Sequence, residues 1–199
     1  RNDGSYELGT AEGGRKIFLM GMNYLNEYKD SREALNTYYL KTIHHEFTHI
    51  LHQTVEFSTA YQFITTDYKV DKCFNREFAD FLSRGFITDY AQKNYHEDFA
   101  EMVSTYVTNT EEEWEALLKK ASYAPKKDKD GNLVYDANGS VIADTTTKAN
   151  GRDLIEQKLS IMRSYMQDQW GIDIDELRAS ILQRENDVVN GKVDLKNLD

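Results

Sequence analysis

The sequence predicts a mostly helical α+β fold, on three observations. Apolar residues recur at helical period over long stretches, as in Leu154, Ile155, Leu159, Met162, Tyr165 and Met166. Strand signals are few and short, and the chain has one proline, Pro125. Apolar residues make up 40% of the 199, with 13 Tyr and 9 Phe, which is enough for a real core in one domain spanning 1–199.

Taken in order, residues 1–14 are polar and Gly-rich and read as a loop or frayed start. Lys16 to Met20 reads as a buried strand. Asp30-Ser31 followed by Glu33 starts a helix that leads through Leu35, Tyr39 and Ile43. Residues 74–84 read as a short helix stopped by Gly85, and Phe86 to Tyr90 as extended. A helix opens near Asn94 and runs through Phe99, Met102, Val103 and Tyr106. Thr110 with Glu113 forms a capping box for the next, over Trp114, Leu117 and Leu118.

Residues 125–150 turn to Lys, Asp, Gly, Asn and Thr, and read as a mobile hairpin insertion about Asn138-Gly139. Asp128-Lys129-Asp130-Gly131 looks like part of a calcium loop, but its register places Lys126 and Ala137 where acidic ligands belong. Two helices close the chain. The first runs to Gly171 and the second follows Asp173, and together they are expected to form a supporting C-terminal bundle.

Composition narrows the function. A net charge of −10 argues against nucleic acid or an anionic membrane as partner. No run of 18 apolar residues exists, so no transmembrane segment is expected. The lone Cys73 excludes an internal disulfide, and its setting lacks the local signatures of cysteine proteases, so it reads as a packing residue. The chain opens at Arg1 without a signal-type stretch and reads as a mature or trimmed piece.

The informative segment is 41–53. Four of the five histidines fall between His44 and His52, and within them stands His45-Glu46-x-x-His49. Residues four apart share a helix face, so His45 and His49 can reach one metal ion. Glu46 is rotated from them by roughly 100°, which suits a base rather than a ligand. This is the zincin arrangement. Ile43, Phe47, Ile50, Leu51 and Thr54 supply an apolar stripe on the side expected to face the core.

A catalytic zinc site needs a third protein ligand and an open position. Val55 stands where a metzincin needs His, which removes that subclass. His52 lies on the histidine face, but three ligands on successive turns of one helix converge poorly. Glu97 and Glu101 share a face of the helix from 94, so Glu97 can bind metal while Glu101 accepts a ring N–H from a ligating histidine. The competing reading makes Asn94 the N-cap and Glu97 its capping-box partner. His96 is a further option on another face.

His45-Glu46-x-x-His49 followed by Glu97-Asp98-Phe99-Ala100-Glu101 resembles the gluzincins, whose second helix supplies a Glu ligand. The stretch from Tyr90 to Glu101 is similar to the catalytic domain of anthrax lethal factor, where the corresponding tyrosine assists at the oxyanion. The segments Thr42 to Gln53, Gly85 to Ala91, Glu97 to Glu101 and Gly171 to Arg178 resemble a family of zinc metallopeptidase lipoproteins of Bacteroidetes, encoded beside outer-membrane substrate-import proteins. The resemblance covers roughly residues 15 to 185.

It implies a zincin-like (gluzincin) metallopeptidase core with a small sheet, the hairpin insertion and the C-terminal bundle. It implies Zn²⁺ held by His45, His49 and Glu97, Glu46 as general base and Tyr90 at the oxyanion. It further implies hydrolysis of a peptide or protein substrate, import proteins as partners, and export with lipid anchoring at the outer membrane. A zinc-stabilised module that hydrolyses nothing and accompanies an importer is the competing function. Hydrolysis of a non-peptide amide is a third.

Overall fold

A computed structural model describes residues 8–193. Among them are two two-stranded sheets and seven α-helices. The chain groups into two compact units. The first holds the residues up to Glu56, Val103–Asn109 and those from Met166 onward; the second holds Phe57–Met102 and Thr110–Tyr165.

In the first unit, β1 (Gly9–Glu12) pairs antiparallel with β2 (Lys16–Leu19), with Thr10 opposite Phe18. Gly13 and Gly14 make the turn at φ 57° and 64°, a region open to glycine at little cost. Part of the expected loop at 1–14 is therefore a strand, because its hydrogen-bond partner lies in β2; residues 1–7 lie outside the described residues. The strand at 16–19 is not buried. It alternates exposed and half-buried, and Phe18 is 46% exposed, since this hairpin covers the protein with one face only.

After α1 (Leu25–Tyr28), the Ser31 hydroxyl accepts from Ala34 N–H at 3.2 Å and caps α2 (Arg32–Leu35). A π-helical turn at Asn36–Leu40 carries the chain without a break into α3 (Lys41–Thr54). Leu35 and Tyr39 pack with Val188 of α7 (Ile174–Val189), whose N-cap is Asp173. Arg32 donates to the buried Glu185 at 3.0 Å, and Arg178 donates to Asn109 O at 2.7 Å.

The second unit is built on aromatic rings. Phe57 stacks on Phe99 of α4 (Tyr95–Thr108) with centroids 4.0 Å apart, and Tyr61 and Tyr165 meet Phe99 edge-on. The expected helix at 74–84 is two single 3₁₀ turns, Arg76–Phe78 and Phe81–Arg84, ended by Gly85 at φ 85°. Residues 86–90 form no strand; they bend into a 3₁₀ turn at Tyr90–Gln92. Apolar character there reflects burial of Phe86 and Ile87 rather than sheet pairing.

The capping box of Thr110 and Glu113 opens α5 (Glu111–Ala121). β3 (Tyr123–Pro125) pairs with β4 (Ala143–Lys148), and the bridges Lys127↔Leu133 and Tyr135↔Val141 nest two turns between them. Asp128 does not form a calcium loop; its Oδ1 accepts from Asp130 and Asn132 N–H, both at 2.9 Å, and shapes a turn. A second small sheet thus replaces the expected single one, because β3 lies before the insertion and pairs across it. α6 (Gly151–Trp170) follows. The C-terminal helices divide between the units: α6 belongs to the second as far as Tyr165, and α7 to the first.

Candidate metal centre

On α3 the buried residues are His45, Glu46, Thr48, Leu51 and His52, while Phe47 is 41% exposed. Of the expected apolar stripe, Leu51 is buried, Ile43 and Ile50 are half-buried, and Phe47 and Thr54 are exposed. On the histidine side His45 and His52 are buried too, a polar burial that demands partners. The Nε2 atoms of His45 and His49 lie 3.0 Å apart, with the rings edge-on at 79°. His52 Nε2 lies 2.7 Å from His49 Nδ1, so His52 buttresses the other side of the His49 ring. Thr48, fully buried, returns its hydroxyl to His44 O at 2.7 Å.

Glu46 is 7% exposed and lies under β1. A Cβ at Gly9 would fall 2.7 Å from Glu46 Cγ and 3.1 Å from its Oε1. Only glycine lets the strand come so close to this carboxylate. Sequence patterns give no sign of that approach, since the strand itself reads as loop.

The second half of the site is set by the start of α4. Asn94 Oδ1 accepts from His96 and Glu97 N–H, both at 3.0 Å, so Asn94 is a helix cap, as the competing reading of this segment expected. Glu97 Oε1 accepts from Tyr90 hydroxyl at 3.0 Å and from Lys93 Nζ at 2.8 Å, and Lys93 also reaches Tyr90 hydroxyl at 2.8 Å. Tyr90, Lys93 and Glu97 are thus one cluster.

Burial first, and then the Glu97 carboxylate, push the Tyr90 hydroxyl up to about 12 against the lowering contact of Lys93, so it keeps its proton at neutral pH. Burial acts to lower the Lys93 ammonium, but hydrogen bonds to Glu97 and Tyr90 outweigh it and hold it above its ordinary value. Phe74 stacks on Tyr90 at 5.7 Å. Glu101 Oε2 accepts from Thr88 hydroxyl at 2.7 Å, and Asp89 Oδ1 accepts from Tyr90 N–H at 2.8 Å. Lys93 and Thr88 were not singled out in the sequence. Lys93 stands four before Glu97, a spacing at which a cation meets a carboxylate.

Among the described residues, α3 offers the imidazole nitrogens of His45 and His49, and α4 offers the carboxylate of Glu97. Two imidazole nitrogens and a carboxylate oxygen are a donor set that suits zinc. Nitrogens held about 2.0–2.1 Å from one tetrahedral ion stand about 3.3 Å apart, close to the spacing of the His45 and His49 rings. His96 stands beside Tyr95, with ring centroids 4.1 Å apart.

Two histidines one turn apart on α3, with a buried glutamate between them, have the donor pattern of a zinc-binding helix. Residues 1–175 match the family described as "Putative zinc-binding metallo-peptidase", and the chain belongs to that family. Among solved structures it is similar to a protein of Bacteroides caccae bearing the same description, with 32% identity and a TM-score of 0.71. That similarity covers all of this chain, which spans 65% of the length of the other. Among curated proteins none matches. No helix among the described residues is long and apolar enough to cross a membrane.

Proposed function

We propose that the protein is a zinc-dependent peptidase that hydrolyses peptide bonds, with His45, His49 and Glu97 holding the ion. The observation that carries this reading is the His45–His49 nitrogen pair 3.0 Å apart with Glu46 buried beside it. A purely structural site needs no base at that position. Bound zinc would supply Lewis acidity, lowering the pKa of water and polarising a carbonyl.

Glu46 accepts the proton of the attacking water and passes it to the leaving amine. Its burial under Gly9 limits its freedom to turn away. Tyr90 keeps its proton and donates to the oxygen on which negative charge develops, while Lys93 orients it. Glu101, one turn on from Glu97 and bonded by Thr88, is assigned to orient a ligating histidine on its helical spacing alone. Export, anchoring at the outer membrane and association with import proteins belong to the same proposal and rest on the sequence resemblance; fractionation of the native cell envelope tests them.

The experiment is a peptide-library cleavage assay on zinc-loaded protein, with zinc content measured in parallel. Wild type is expected to bind one zinc and cleave. Glu46→Gln is expected to keep its zinc and lose about 10²–10⁴-fold in rate. Zinc uptake without cleavage of any peptide would instead favour a non-catalytic module accompanying an importer.

A further inference from the structure

The second unit contains a cavity of about 520 Å³ that the proposed chemistry does not use. Its size falls within the range of about 300–1,000 Å³ typical of pockets that enclose a ligand. The insertion forms one side of it, through Tyr135, Val141 and Ala143, and α5 another, through Leu117. Phe74 and residues 87–89 also line it.

Three features tie this cavity to Tyr90. Phe74 lines it and stacks on the Tyr90 ring. Asp89 lines it and caps Tyr90 N–H. Thr88 lines it and donates to Glu101. The wall of the cavity is therefore the chain that carries the proposed oxyanion donor.

The lining also indicates what would fill it. Asp80 is engaged by Arg84 at 3.0 Å, and the Arg76 guanidinium lies 4.4 Å from the centroid of Tyr135. Tyr135 hydroxyl donates to Arg76 O at 2.6 Å, which pins the insertion in place. Lys120 is exposed at the rim. Asp80 and Arg76 are thus already engaged, and beside them the lining carries aromatic and aliphatic side chains, among them Phe74, Phe81, Ile87, Leu117 and Val141.

We propose that this cavity receives a bulky apolar side chain of the peptide substrate, of the Phe or Leu class, flanking the bond to be cut, and that the insertion at 126–142 is its roof. The proposal rests on the peptidase reading for its substrate. It assigns the insertion a role in specificity rather than in catalysis.

The test separates recognition from hydrolysis. Fluorescein-labelled decapeptides of Ala, Ser and Gly, each with one Phe, Lys or Glu, are titrated against zinc-loaded Glu46→Gln protein by fluorescence polarisation. Cleavage of the same peptides by wild type is read by mass spectrometry. A Phe peptide is expected to bind at least tenfold tighter than its Ala, Lys and Glu counterparts. Ser140→Trp, on an exposed rim residue, and Val141→Glu, each combined with Glu46→Gln and checked by circular dichroism, are expected to abolish that preference.

Preferential binding that both variants leave intact overturns the cavity, as does binding indifferent to the Phe or favouring Lys. Wild-type cleavage alongside either result leaves the peptidase reading standing. Phe-selective binding that the variants abolish, with no cleavage by wild type, leaves the cavity standing and sinks the peptidase.

Discussion

Lys158 has no solvent contact, and neither has its partner Asp98. Its ammonium donates to Asp98 Oδ2 at 2.6 Å and to Gly85 O at 2.7 Å, with the Phe86 ring 4.5 Å away. Tyr68 hydroxyl adds a bond to the same carboxylate oxygen at 3.2 Å. Burial pushes the Asp98 carboxyl up and the Lys158 ammonium down, and each charge opposes the shift of the other. Lys158→Met removes the cation and strands a carboxylate in a site closed to water. Breaking a buried pair in this way costs about 3–5 kcal/mol, with no discount for solvent screening. At about 2–4 °C per kcal/mol for a chain of this size, the melting midpoint should fall by about 6–20 °C.

The assay is thermal unfolding followed by circular dichroism, on metal-free protein so that zinc binding does not mask the change. The double variant Asp98→Asn, Lys158→Met leaves no charge behind and should recover much of the loss. A single variant that costs less than about 1 kcal/mol, the value of an exposed pair, would refute the reasoning. So would a double variant no more stable than Lys158→Met alone, since the stranded carboxylate would then not be the cause.

Gly9→Ala should displace the Glu46 carboxylate, lowering kcat with zinc content unchanged; unchanged kcat would show that β1 does not hold the base. Glu97→Ala should weaken zinc binding by about 10-fold or more, as read by competition with a chelator, and wild-type affinity would place the third ligand elsewhere. Gly151→Ala should destabilise strongly, because the new Cβ would sit 2.1 Å from Leu82 O and 2.7 Å from Ala121 O, both backbone atoms. Denaturant titration reads it, and a midpoint near wild type would mean that this turn yields.

The sequence by itself determined what depends on near neighbours along the chain. The spacing of His45, Glu46 and His49 places them on one turn of a helix whatever surrounds it. Caps at Ser31, Asn94, Thr110 and Asp173 were legible because a side chain there meets N–H groups two or three residues on. The stops at Gly85 and Gly171 were legible because a positive φ suits glycine.

Tertiary structure decided what depends on partners distant in sequence. Which side of α3 is buried could not be read from its apolar residues, because β1 covers Glu46 from 37 positions away in sequence, Gly9 to Glu46. Tyr123 and Lys148 pair across the whole insertion, and Lys158 finds Asp98 across 60 residues. Neither contact leaves a periodic trace, since hydrophobic period reports the face of an element and not the identity of what meets it. Lys93 is the opposite case: it meets Tyr90 three residues before it and Glu97 four after, a local spacing that the sequence carried and that was not singled out.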